Sequence, residues 1–359
     1  MADVVVAGGG VIGMLCALEL TRRGAQVTLL DNGDYFPPAS SAAGGILSPL
    51  FPWRYPRAVN HLCRDALSAY LQLAEQARVA GSDDIDIMTT GLRAWCSDAP
   101  ERVADWASSV QLAVEHIGTA QDAAQDGAHE YWLEGVGSVR CSRLLKGLSA
   151  LLVASGVTLR STALTGFSVS ERGVDCQTTS GVLVASQLVL ANGWQLHKWL
   201  PSQYAASLFP AKGEMLAYQL APGALAEIRL SERGYVIPRR DGLVVVGSTL
   251  EPGVSDTTQT AVACQRLEQT AHALLPALRG AAPAFQWAGV RPGTERPAPL
   301  MDQLPDTDGK VWVCGGHYRN GIVMAPASAR LLVQVMTGEL ERSAMADYSF
   351  SSPGSSDNF

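Results

Sequence analysis

The sequence predicts an α/β protein with two lobes, and three observations carry that reading. A βαβ unit with a glycine-rich turn fills the first 31 residues. A strand-rich region lies at 209–250, and a strand, glycine loop and helix follow one another from 311 to 336. The chain has 359 residues, 47% of them hydrophobic, which is more apolar matter than one core accommodates, since single cores stop growing at roughly 250–300 residues.

Each element has a local reason. Asp3-Val-Val-Val-Ala7 is a short apolar, β-branched run bounded by glycine, the pattern of a buried parallel strand. Gly8-Gly9-Gly10-Val11-Ile12-Gly13 makes the turn, residues 14–23 show a helical apolar face closed by Gly24, and residues 26–30 form the second strand, ending at Asp31. Residues 33–57, rich in Gly, Pro, Ser and Ala, read as an extended loop. Helices are expected at 58–80, 100–112 and 141–155, then short strands over 157–190 with turns at 171–173 and 180–181. Paired strands at 234–239 and 243–248 flank a turn at 240–242, a helix spans 257–275, and a last helix spans 326–336. The Ser/Gly/Pro-rich tail from Ser349 reads as frayed.

Composition excludes several classes. With 27 basic and 34 acidic side chains the formal charge is −7, without a basic stripe for nucleic-acid phosphates. The seven cysteines stand singly, without CxxC spacing, so neither a zinc knot nor a dithiol redox site is written here. The six histidines show no metal-ligand spacing, and no metal is expected. Residues 4–18 are uncharged but short of the ~20 needed to span a bilayer. They have no basic flank and no cleavage pattern. A cytoplasmic protein without stable membrane insertion is expected, with the homo-oligomeric state left open.

The turn is the first functional signal. In Gly8-x-Gly10-x-x-Gly13 the first glycine permits the tight bend, the second lets a pyrophosphate approach the backbone, and the third lets helix and strand pack closely. Phosphates then rest on the helix N-terminus, and Asp31 is placed to hold a ribose hydroxyl. The turn does not separate NAD from FAD. The late loop Gly315-Gly316-His317-Tyr318-Arg319-Asn320-Gly321, opening a helix, can aim backbone N–H groups at the electron-rich edge of a flavin.

Together these residues resemble the D-amino-acid-oxidase superfamily of flavoproteins, and within it the glycine oxidases of thiamine biosynthesis. The likeness covers residues 3–345. Besides the first turn and Asp31 it rests on Ser40-Ser-Ala-Ala-Gly44-Gly45-Ile46, on Val189-Leu-Ala191-Asn-Gly193, on Tyr235-Val-Ile-Pro-Arg239 with Gly247-Ser-Thr-Leu250, on Ala288-Gly-Val-Arg291-Pro-Gly-Thr294, and on the 315–322 loop. It implies a Rossmann-type FAD-binding domain (residues 1–50, 138–200 and 290–345) and noncovalent FAD. A mixed helical, substrate-side segment (51–137), a substrate domain built on an antiparallel sheet (201–289) and a flexible tail (346–359) complete it.

Carried over by position, the resemblance puts Val11 and Ile12 at the pyrophosphate, Asp31 and Asn32 at the ribose, and Ala39 and Ser40 near the phosphates. It puts Gly44, Gly45 and Ile46 beside the isoalloxazine, with Ala191 nearby, and the backbone of Leu164 on the adenine side. His317, Tyr318, Arg319, Asn320, Gly321, Ile322 and Val323 fall along the flavin ring. Arg291 clamps the substrate carboxylate, helped by Tyr235, with Arg319 close by. Asn192, Leu250 and residues 295–305 depart from the family pattern.

The chemistry this implies is oxidative deamination of a small amino acid or amine with O2 as acceptor. Arginine's planar fork suits a carboxylate, and hydride transfer from Cα to flavin N5 needs positioning rather than an acid–base constellation. His317 reads as a loop-packing residue. Trp53-Arg54-Tyr55 reads either as an active-site lid or as an anchor. A quinone-coupled D-amino-acid dehydrogenase, a sarcosine-type oxidase with flavin linked to Cys314, and a flavin-binding sensor without turnover stay open as alternatives.

Overall fold

The computed structural model describes residues 2–33, 39–110, 112–120 and 127–352. The strand Ala2–Ala7 lies in the middle of an eight-stranded sheet, its Val5 and Val6 fully buried. It pairs in parallel with Val27–Asp31 on one side and Gly181–Leu190 on the other. Thr158–Ser161 and Val311–Gly315 extend the parallel set, and Leu300–Gln303 closes one edge antiparallel. Helices Val11–Arg22 and Gly321–Met336 pack against each other over one face of this sheet. Sequence-distant segments therefore build one lobe, because the βαβ unit buries its strand on both sides only when later strands join it.

The second sheet has nine strands. Phe285–Thr294 pairs antiparallel along the length of Leu208–Gln219, followed through Leu243–Gly247, Gly234–Pro238 and Ile228–Ser231. Leu92–Cys96, His129–Leu133 and Glu115–Thr119 continue it, and the short Glu251–Pro252 pairs with the start of Leu208–Gln219 to complete the nine. The mixed α/β architecture agrees with the expectation, with one qualification: Ile228–Ser231 pairs parallel with Leu92–Cys96, so the sheet is not wholly antiparallel.

Several expected boundaries move. The domain division at 289/290 cuts through the Phe285–Thr294 strand, which belongs whole to the second sheet. The loop expected over 33–57 contains the short helix Ala39–Ala42 and the helical turn Pro52–Arg54; residues 34–38 lie outside the described set. The helix expected at 58–80 is two, Arg57–Cys63 and Ala66–Val79. The first helix begins at Val11, inside the glycine turn, rather than at Met14. The tail is docked at its start: Tyr348 is buried and Phe350 packs on Tyr204, while residues 353–359 lie outside the described set.

The last helix begins at Gly321, five residues before Pro326. Proline lacks the N–H that would bond the carbonyl four residues back, here that of Ile322. The buried Tyr70 hydroxyl donates to that carbonyl instead, at 2.7 Å. Tyr70, on helix Ala66–Val79, thereby braces the helix end that faces the main cavity.

Candidate active site

The first turn is built as the glycine spacing requires. A Cβ on Gly13 would sit 1.8 Å from the Gly8 carbonyl oxygen, and one on Gly8, whose φ is 117°, would sit 2.4 Å from that of Ala191. The Gly9 and Gly33 N–H groups donate to opposite oxygens of the Asp31 carboxylate, at 2.7 and 2.9 Å. Asp31 therefore ties the turn to the second strand and keeps lone pairs free for a ribose hydroxyl. The Val11 N–H at the helix start donates to Ser40 Oγ at 3.0 Å, so a residue 29 positions away caps the helix and brings its loop to the phosphate end.

A cavity of about 750 Å³ runs from this turn into the second sheet. All the cofactor and substrate candidates named above line it except Gly13, which is turned against Gly8. Gly44 to Ile46 form one wall. The Gly45 carbonyl accepts from the Val139 N–H at 2.8 Å, and a Cβ on Gly45 would meet Val139 O at 2.1 Å. Arg239, 3% exposed, donates to Gly44 O at 2.6 Å and Ser138 Oγ at 3.2 Å.

Arg291 reaches the cavity from Phe285–Thr294. Its guanidinium donates to Ser248 Oγ (2.7 Å) and to the carbonyls of Thr249 (3.3 Å) and Lys212 (3.4 Å). All three partners are neutral, and Arg291 makes no ion pair among the described residues. Burial presses its pKa down from the ordinary arginine value, and neighbouring Arg319 adds to that, yet a guanidinium stays charged. Tyr235 is buried beside it in the same cavity, its hydroxyl donating only a weak bond to Met215 Sδ at 3.7 Å. Arg319 is exposed and also makes no ion pair among the described residues.

His317 lines the cavity as the packing residue it was expected to be. It is 2% exposed, its Nε2 lies 3.0 Å from Ser328 Oγ, and burial pushes its pKa down to about 3. The lid alternative for Trp53-Arg54-Tyr55 does not fit the geometry. Trp53 is 1% exposed, donates to Asp98 at 2.8 Å and packs on Phe51, Trp106 and Tyr131. Leu250 points outward, 42% exposed and away from the cavity. Met215 lines the cavity, as does Cys314, and the Met215 sulfur meets the Tyr235 hydroxyl.

Gly213 was not marked by the sequence. It lies opposite Gly289 in the strand pair, and a Cβ on it would strike the Arg291 guanidinium. Only cross-strand register shows this. Asn192, a departure from the family pattern, lines the cavity with a buried Oδ1 that has no partner among the described residues, so that wall presents an unsatisfied acceptor to a ligand.

A glycine turn open to a pyrophosphate, a carboxylate at the ribose position, a capped helix end and an unsatisfied amide together fit FAD. A family model described as FAD dependent oxidoreductase matches residues 3–335. The chain belongs to this family. It is 40% identical to a glycine oxidase of Pseudomonas putida, over 94% of each chain, and 36% identical to one of Pseudomonas aeruginosa, over 93% of this chain and 94% of that one. The bifunctional protein ThiO/ThiG of Synechocystis sp. is 30% identical over 92% of this chain and 51% of its own length. The crystal structure of glycine oxidase from Geobacillus kaustophilus superposes with a TM-score of 0.86 at 25% identity, covering 98% of both chains. No helix among the described residues is long and apolar enough to cross a membrane.

Proposed function

We propose that this oxidoreductase deaminates glycine and other small amino acids or amines, consuming O2 and giving glyoxylate or the corresponding oxo product, ammonia and hydrogen peroxide. The observation that carries the reading is Arg291: a half-buried cation with neutral partners only, in the cavity that begins at the dinucleotide turn. The glycine oxidases among the relatives support the choice of substrate, and the thiazole branch of thiamine biosynthesis, in the cytoplasm, is its proposed setting.

Bound FAD supplies the two-electron acceptor. Gly8, Gly10, Val11, Ile12 and Ser40 receive its phosphates, Asp31 and Asn32 its ribose, Leu164 its adenine side, and residues 44–46 and 317–323 its ring. Arg291 takes the substrate carboxylate with two parallel N–H donors. The Tyr235 hydroxyl gives up its weak thioether contact for a carboxylate oxygen. Two nearby cations, Arg291 and Arg319, lower the pKa of a bound ammonium, favouring the neutral amine that can lose hydride. The buried wall of Met215, Tyr235 and Ile46 excludes water.

Anaerobic mixing with glycine tests this. The flavin absorbance should bleach, air should restore it with release of peroxide, and acid should free the FAD because it is held noncovalently. Flavin that stays oxidised under glycine contradicts the reading.

A further inference from the structure

A second cavity of about 250 Å³ shares residues 317–320 with the main one. Tyr55, Thr294, Arg296, Pro297, Arg319 and Asn320 are among its walls. Arg296 lies in the 295–305 stretch that departs from the family pattern. Its backbone N–H donates to Thr294 Oγ1 at 3.1 Å, but its half-buried side chain makes no hydrogen bond or ion pair among the described residues. The same holds for Arg319. The carboxylate that Arg296 senses is Asp302, which is already engaged: Oδ1 accepts from Arg342 at 2.6 and 2.9 Å, and Oδ2 from the Phe350 N–H at 2.9 Å.

Arg296 and Arg319 both line this small cavity with no acidic residue among its walls, so an anion entering it would meet two guanidinium groups. The prolines and Met324 on the remaining wall suit a short organic tail better than a fully hydrated inorganic ion. We propose that this cavity binds a small carboxylic acid through Arg296 and Arg319, as a second site beside the one at Arg291. It rests on the proposed function only for which acid occupies it, the amino-acid substrate or its oxo-acid product.

The test uses FAD-loaded protein carrying Arg291→Ala, which silences the main carboxylate site, with acetate as the probe in isothermal titration calorimetry. One saturable acetate should bind. Adding Arg296→Met should weaken it about tenfold or more, whereas Arg296→Lys should weaken it less, because it keeps the charge but not the fork. In the parent background Arg296→Met should leave kcat with saturating glycine within about twofold, with an unchanged melting temperature showing intact folding. Absence of acetate binding to Arg291→Ala, survival of full binding in both Arg296 variants, or preference for inorganic phosphate over acetate would overturn the site. If glycine fails to reduce the flavin while Arg296-dependent acetate binding persists, the proposed function falls and the second site stands.

Discussion

The Arg291 guanidinium lies flat against the backbone of Gly213: a Cβ at Gly213 would sit 2.1 Å from Nη1 and 2.4 Å from Nη2. The two residues meet because Phe285–Thr294 and Leu208–Gln219 run antiparallel with Ala211 opposite Arg291. The missing side chain opposite Gly289 makes the shelf on which the charge rests.

Gly213→Ala should therefore displace the end of a flexible side chain and little else. The fold should survive, with kcat/KM for glycine falling about tenfold to a hundredfold, since a misplaced positioning group costs that much. A small amine without a carboxylate should be oxidised as before. Steady-state kinetics on both substrates checks this, and equal losses on both would show general damage instead.

Arg239 is predicted to position the Gly44 turn. Replacing it with Met removes two hydrogen bonds but also relieves a buried charge, whose pKa burial has already lowered, so stability should change little. FAD should bind about tenfold more weakly, because the Gly44 carbonyl loses its tether, and Arg239→Lys should recover part of that. Fluorescence titration of apoprotein with FAD, beside a melting curve, separates the effects; a large melting shift with unchanged FAD affinity would contradict the role.

Asp31→Asn keeps one acceptor and turns an NH2 group toward a backbone N–H. The loss of a charged hydrogen bond at the turn should cost about 1.5–3 kcal/mol of FAD affinity. Asp31→Glu, with the charge retained but the reach changed, should also weaken binding. Unchanged affinity in Asp31→Asn would place the ribose elsewhere.

His317 gives a pH prediction. Burial pushes its pKa down to about 3 from the ordinary 6.5, so below about pH 6.5 the unfolded chain takes up a proton that the folded chain refuses. This contribution to stability is complete above pH 6.5 and declines toward pH 3, by about 1.4 kcal/mol per pH unit. His317→Gln, which can still face Ser328, should flatten that slope. Urea unfolding at pH 7 and pH 5.5 checks it; parallel losses in the parent and His317→Gln would contradict it.

How much of this was legible follows from which residues act locally. Gly8, Gly10 and Gly13 are dictated by backbone geometry within six residues, and Asp31 sits at the end of a readable strand. Arg291 and the 315–321 loop are legible through a short motif. What the sequence hides is long-range. Pro326 reads as a helix start, yet the helix begins at Gly321, and the Ile322 carbonyl that Pro326 cannot serve is met by the Tyr70 hydroxyl, 252 positions away. Glu115–Thr119 is mostly exposed, so it carries no apolar alternation to mark it as a strand. Gly213 and Met215 depend on cross-strand register, and the burial of Trp53 depends on Asp98 and Tyr131, which periodicity does not bring together.

Whether Arg291 holds a carboxylate is decided by Arg291→Ala assayed on glycine and on a carboxylate-free amine. The variant should be FAD-loaded with an intact spectrum, its kcat/KM for glycine lower by about 10²–10⁴, with the amine nearly indifferent and Arg291→Lys only partly restoring glycine. Oxidation of glycine within about threefold of the parent, or equal losses on glycine and amine, would contradict it.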